Sequence, residues 1–240
     1  MTNVDPAEGL AARFAAVQAR INTAATRAGR SPGDVALIAI SKTQPANLVR
    51  ELIELGATDL GENRVQEAEE KLPAVGQTIA RWHLVGHLQA NKARRALSLF
   101  DVIHSLDSID LARRLDRLCI EVGRQSLPVL IQVDLGGEET KSGINEQELP
   151  GLAETLQQLE RLELIGLMTL PPFFDEPEQA RSYFRKLREL RDKLASSGAF
   201  GERGGELSMG MTHDFEVAIE EGATMVRIGT AIFGERNAGH

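Results

Sequence analysis

The chain has 240 residues, a formal net charge of −8, 42% hydrophobic residues and 26% charged ones. That is ordinary globular composition, and the acidic balance argues against nucleic-acid or anionic-membrane partners, whose phosphates need clustered, uncompensated Lys and Arg. No stretch approaches the roughly 20 apolar residues that cross a bilayer, and the single cysteine, Cys119, cannot close an internal disulfide, which fits a reducing, cytoplasmic compartment.

At the N-terminus Leu10, Phe14, Val17 and Ile21 fall on one helical face, predicting an amphipathic helix within residues 1–34 that packs on the rest of the chain. Glu8 and the lack of a continuous apolar run speak against a signal peptide, and nearby acidic residues against the transit peptide that Arg13, Arg20, Arg27 and Arg30 would suggest. From residue 35 onward, eight β-rich runs are expected: 35–41, 58–61, 82–85, 102–105, 129–133, 162–167, 206–209 and 225–228. Helical candidates lie between them, among them 46–55, 111–122, 148–159 and 178–194. On 111–122 a single face carries Leu111, Leu115, Leu118, Cys119 and Val122, which makes Cys119 a buried small hydrophobe. Tyr183 shares a stripe with Leu187, Leu190 and Leu194 and reads as packing.

The run Val35-Ala36-Leu37-Ile38-Ala39-Ile40 lacks polar alternation, as expected for a parallel strand covered on both faces. Strand–helix alternation fits either an open doubly wound sheet or a single (β/α)8 TIM barrel. Lys42, Glu62, Asn63, Gly86, Asp134, Met168 and Arg227 all fall at or just past C-terminal strand ends, where a barrel gathers its loops around one site. The barrel, as one domain spanning residues 1–240, is therefore favoured.

Three features carry chemistry. Most lysines are solvated surface charges, but if Lys42 points inward so do Ile40, Ile38 and Ala36, setting its amine above an apolar floor. A partly desolvated amine there is a better nucleophile toward an aldehyde. The glycine turn in Arg227-Ile228-Gly229-Thr230 and the segment Ser208-Met209-Gly210-Met211-Thr212 come after the eighth and seventh strands, where barrels commonly bind phosphate. Either turn alone is a weak signal. Arg227 either pairs with a rim carboxylate or points at the same ligand.

The segments Ala39-Ile40-Ser41-Lys42-Thr43, Gly61-Glu62-Asn63-Arg64-Val65-Gln66-Glu67, Trp82-His83-Leu84-Val85-Gly86, Lys141-Ser142-Gly143, Gly166-Leu167-Met168 and 208–234 resemble the pyridoxal 5′-phosphate (PLP) homeostasis proteins, the alanine-racemase N-terminal-domain-like family. The resemblance implies a fold-type III PLP barrel without the β-domain of alanine racemase. It makes Lys42 the Schiff-base lysine, sets Arg227 against the pyridine nitrogen, and gives the phosphate to Thr212, Gly229 and Thr230, with Ser208 beside them. Asn63, His83 and Met168 become cofactor lining, against alternatives of a helix contact, a strand-packing imidazole and ordinary core. For His83 the two stand level, because Trp82 and His83 point to opposite faces. His87 stands where the family usually has proline and leaves the local turn open, whereas Thr212 replaces serine and keeps the hydroxyl.

An arginine at the pyridine nitrogen leaves that nitrogen an acceptor and the ring a poorer electron sink. Racemisation also needs a second base, which the racemases take from a β-domain for which this sequence has no residues left. The expected function is thus intracellular PLP (vitamin B6) homeostasis: holding PLP on Lys42 and passing it on, with PLP-dependent apoenzymes as partners, little or no turnover, and a monomeric state. Two alternatives stay open: a PLP-dependent amino-acid racemase of limited rate, and a barrel isomerase of a phosphorylated metabolite. No metal site is expected: the five histidines are scattered, and the one close pair, His83 and His87, has no cysteine-rich ligand set beside it.

Overall fold

A computed structural model describes residues 9–76, 79–137 and 142–234. Eight parallel strands close into a barrel in sequence order: β1 (Ala36–Ile40), β2 (Asp59–Glu62), β3 (Arg81–Leu84), β4 (Val102–Leu106), β5 (Leu127–Gln132), β6 (Leu162–Met168), β7 (Glu206–Ser208) and β8 (Met225–Ile228). The ring closes where β1 pairs with β8, Ile38 lying opposite Arg227. All eight expected strands are present, and the TIM barrel is the observed architecture.

Strand alternation sorts side chains into two cores. Ile38, Ile40, Val85, Val102, Leu130, Ile165, Met168 and Met225 fill the barrel. Ala39, Leu60, Trp82, Leu84, Ile103 and Val129 face outward into the layer beneath the helices. Burying each large side chain there stabilises the fold by about 1.5–3 kcal/mol. Gly166 lets β6 and β7 close up, since a Cβ at that position would lie 2.2 Å from the Glu206 carbonyl oxygen.

The outer helices are α1 (Leu10–Arg27), α2 (Ala46–Glu54), α3 (Val65–Val75), α4 (Ala93–Leu99), α5 (Ile109–Val122), α6 (Leu149–Gln157), α7 (Arg181–Ser196), α8 (Phe215–Glu220) and α9 (Thr230–Phe233). The expected N-terminal helix is α1, with Leu10, Phe14, Val17 and Ile21 buried. Its arginines are anchors: Arg20 pairs with Glu216 at 2.7 Å and lies 4.5 Å from the centre of the Phe215 ring, while Arg13 donates to the Ile232 carbonyl at 2.8 Å. This ties α1 to α8 and α9, the elements flanking β8.

Two expectations change in detail. Helix 178–194 begins instead as a 3-10 turn, Pro177–Ala180, before α7, because Pro177 fixes the entry turn without supplying an N–H. Val122 is 49% exposed and leaves the buried face of α5, which ends at once on left-handed Gly123. Cys119 is buried as expected, and Tyr183 sits against Phe174, ring centres 5.7 Å apart. Lys141 of the Lys-Ser-Gly motif lies outside the described residues. Among the described residues no helix is long and apolar enough to cross a membrane.

Candidate functional site at the barrel mouth

Lys42 continues the inward series of Ala36, Ile38 and Ile40 and is half-buried just past β1. Its two neighbours are held from the outer layer. The Ser41 hydroxyl donates to Glu62 Oε1 at 2.7 Å. Lys71 Nζ, from α3, donates to the Ser41 carbonyl at 2.6 Å, to Glu62 Oε1 at 2.6 Å and to Glu67 Oε1 at 3.0 Å. The Thr43 N–H donates to the same Glu67 carboxylate. Thr43 has φ +64°, a left-handed conformation that a β-branched residue adopts only when its surroundings impose it. The clamp therefore fixes the backbone on both sides of the lysine.

Glu62 ends β2, at the strand terminus where the sequence put it. Observed β2 runs one residue further than the expected strand, and Glu62, fully buried, points away from the mouth into the helix layer. Burial pushes its carboxyl above the ordinary value, against the opposing effect of Lys71 and Ser41.

Arg227 projects from β8 into the barrel and is buried. Its Nη1 donates to Ser208 Oγ at 2.6 Å and Nη2 to the Thr169 carbonyl at 2.9 Å. Burial lowers the guanidinium pKa to about 10, which leaves it charged at neutral pH. Ser208 is buried and turned to the interior, between Arg227 and His104, rather than toward the glycine turn. His83 resolves inward: it is 1% exposed and bonded to His104 and to Asp59. Val85 is the next inward side chain toward the mouth, so His83 lies one step below the rim. Met168 is fully buried inside the barrel, with Ser208 as its register partner.

The loops after β7 and β8 come together on the mouth side. Gly210, at φ +90°, presses on α8, where a Cβ would lie 2.6 Å from the Ala218 Cβ. Asp214 accepts from the Met211 N–H at 2.7 Å and Thr212 Oγ1 accepts a long bond from the Ala231 N–H at 3.5 Å. Gly229 lies against β1, a Cβ there falling 3.3 Å from the Ile40 carbonyl oxygen. Thr212 is half-buried and Thr230 exposed. Their hydroxyls and the Gly229 turn suit an anionic group, with the buried Arg227 cation two residues earlier on the same strand.

Asn63 is half-buried past β2, and its carbonyl would lie 2.2 Å from a Cβ on Gly86, so only glycine fits there. The turn that His87 left open directs that side chain outward, Nδ1 lying 3.1 Å from Asp107 Oδ2. No group of His, Cys, Asp and Glu among the described residues could hold a metal. Asp59, His104, Glu67 and Lys71 were not singled out from the sequence. The available signals were an imidazole inside the apolar strand β4 and a lysine on the buried stripe of α3, with Ala68, Leu72 and Val75.

Fold and mouth together define a class: a (β/α)8 barrel with a clamped lysine after its first strand and an anion-suited turn after its eighth. The alanine racemase N-terminal domain model matches residues 13–237, and the chain belongs to that family. It is 45% identical over 224 residues to the pyridoxal phosphate homeostasis protein of Aquifex aeolicus, covering 93% of this chain and 97% of that one. Among solved structures, PipY of Synechococcus elongatus with PLP bound is 37% identical with a TM-score of 0.79, covering 94% of this chain and 100% of that one. A Bifidobacterium adolescentis protein is also 37% identical, with a TM-score of 0.86 over 97% of this chain and 98% of that one.

Proposed function

We propose that this chain is a single-domain PLP-binding protein of vitamin B6 homeostasis that holds the cofactor on Lys42 as a Schiff base. The observation that carries the proposal is the Ser41–Thr43 clamp, which presents one lysine at a mouth whose adjoining strand supplies Arg227 and the Gly229 turn. PLP supplies an aldehyde that condenses reversibly with an amine, water leaving as the C=N bond forms. Lys42 offers that amine. Thr212, Gly229 and Thr230 hold the phosphate, Asn63 and Met168 border the ring, and Arg227 donates to its nitrogen.

A charged guanidinium keeps its protons, so the ring nitrogen stays an acceptor and carbanion stabilisation is weak. Tyr183, outside the barrel against Phe174, and Cys119, buried in α5, are both unsuited to serve as the second base of a racemase. Holding and releasing PLP, in the cytoplasm, as a monomer and toward PLP-dependent apoenzymes, is the role this supports. Borohydride reduction of the PLP-treated protein followed by peptide mapping is the test. The adduct is expected on Lys42, with no exchange of amino-acid α-protons in deuterated water; an adduct elsewhere, or sustained exchange, overturns the respective half of the proposal.

A further inference from the structure

Below the mouth, a row of buried polar side chains crosses the barrel from Arg227 on β8 to Asp59 on β2. Arginine has donors only, so Arg227 Nη1 donates to Ser208 Oγ at 2.6 Å. Ser208 Oγ lies 2.9 Å from His104 Nδ1, the one acceptor within reach of the hydroxyl proton among the described residues. With that proton given to Nδ1, a neutral His104 carries its own proton on Nε2, 2.9 Å from His83 Nδ1. His83 then carries its proton on Nε2, 2.9 Å from Asp59 Oδ1. Every link satisfies one donor and one acceptor, and all of them run from the cation toward the carboxylate.

The opposite polarity fails on burial. It needs a charged His83 at 1% exposure or a protonated Asp59, and it strands the Ser208 proton. Burial also holds both imidazoles below their ordinary pKa, His104 well below. At the far end, burial pushes the Asp59 carboxyl up, but hydrogen bonds from His83 and Thr58 outweigh it and keep the group below the usual carboxylate range. Asp59 is 19% exposed and lines a surface cavity at the N-terminal end of the barrel with Thr58, Leu37 and Gln18.

We propose that Asp59, His83, His104 and Ser208 form a polarised positioning relay, in which two neutral Nε2–H imidazoles and one hydroxyl connect the Asp59 carboxylate to Arg227 and fix how its guanidinium meets the site. As a statement about PLP this rests on the proposed cofactor site, but the relay itself is a property of the apoprotein. His83 and Ser208 are then positioning residues that act through Arg227.

Long-range proton–nitrogen correlation spectra of the ¹⁵N-labelled apoprotein near neutral pH test the relay directly, with His83→Gln and His104→Gln assigning the signals. Both rings are expected neutral with the proton on Nε2. A charged His83, or a proton on Nδ1 of either ring, overturns the relay whether or not PLP binds. In PLP titrations of the full chain, Ser208→Ala is expected to weaken binding about tenfold, the worth of one charge-assisted hydrogen bond, and to move the absorbance maximum. Ser208→Thr, which keeps the hydroxyl, is expected to restore both. Unchanged affinity and spectrum in Ser208→Ala would remove the positioning role. Failure of the wild type to bind PLP would instead count against the proposed function, with the tautomers still deciding the relay.

Discussion

Replacing Lys71 with methionine keeps most of the side-chain volume while deleting the ammonium that joins Ser41, Glu62 and Glu67. Three hydrogen bonds of 2.6, 2.6 and 3.0 Å vanish together, and fully buried Glu62 loses its counter-charge. Breaking one partner out of such a pair costs about 3–5 kcal/mol, and for a chain of this length each kcal/mol lowers Tm by about 2–4 °C. A fall of roughly 6–20 °C is therefore expected in calorimetry at mildly alkaline pH. The pH dependence has a definite sign. Without Lys71 the folded-state pKa of Glu62 rises further above its ordinary 4.5. A raised carboxyl contributes stability that is present below the unfolded value and lost as pH rises through the folded one. The destabilisation must therefore shrink on acidification toward pH about 5. Loosening Thr43 in its left-handed conformation should also lower the yield of borohydride-trapped adduct. A Tm change under about 3 °C, or a deficit that grows with acid, would refute the clamp.

Two further outcomes are dictated by the geometry. His83 and His104 have lowered folded-state pKa values, so below about 6.5 the unfolded chain binds protons that the folded chain refuses, and these residues make stability fall with acidification. Urea titrations should show His104→Gln losing up to about 1.4 kcal/mol per pH unit of that slope; identical slopes in variant and wild type would mean that His104 is not buried neutral. Gly86→Ala puts a Cβ 2.2 Å from the Asn63 carbonyl oxygen and 2.9 Å from its Cα. Since backbone must move, a loss of about 3 kcal/mol is expected in the same titrations, and a variant as stable as wild type would show that the loops after β2 and β3 are not pressed together.

The barrel was legible because parallel strands buried on both faces leave uninterrupted apolar runs, as in Val35–Ile40, and because period two then carries inward Ile38 and Ile40 up to Lys42. Arg227 was legible by the same rule on β8. Glu62 was not, since a boundary one residue off decides whether attention falls on the mouth or on the helix layer. His83 stayed undecided because Trp82, Leu84 and Val85 would suit either face, and only barrel closure sets Trp82 outward. For Lys71, Asp59 and His104 the obstacle was different: the buried stripe of α3 and the apolar run of β4 mark Lys71 and His104 as unusual without saying what they meet. Apart from Glu67, one helical turn from Lys71, the partners cited for them lie 9 to 104 positions away in sequence, beyond any local pattern.

Whether Lys42 holds PLP is read from the absorbance spectrum of the purified protein with PLP, wild type against Lys42→Ala. Wild type should show a yellow band that survives gel filtration and disappears on borohydride reduction, and Lys42→Ala should elute colourless. A wild type that elutes colourless, or a variant that keeps the same band, would show that Lys42 does not hold PLP.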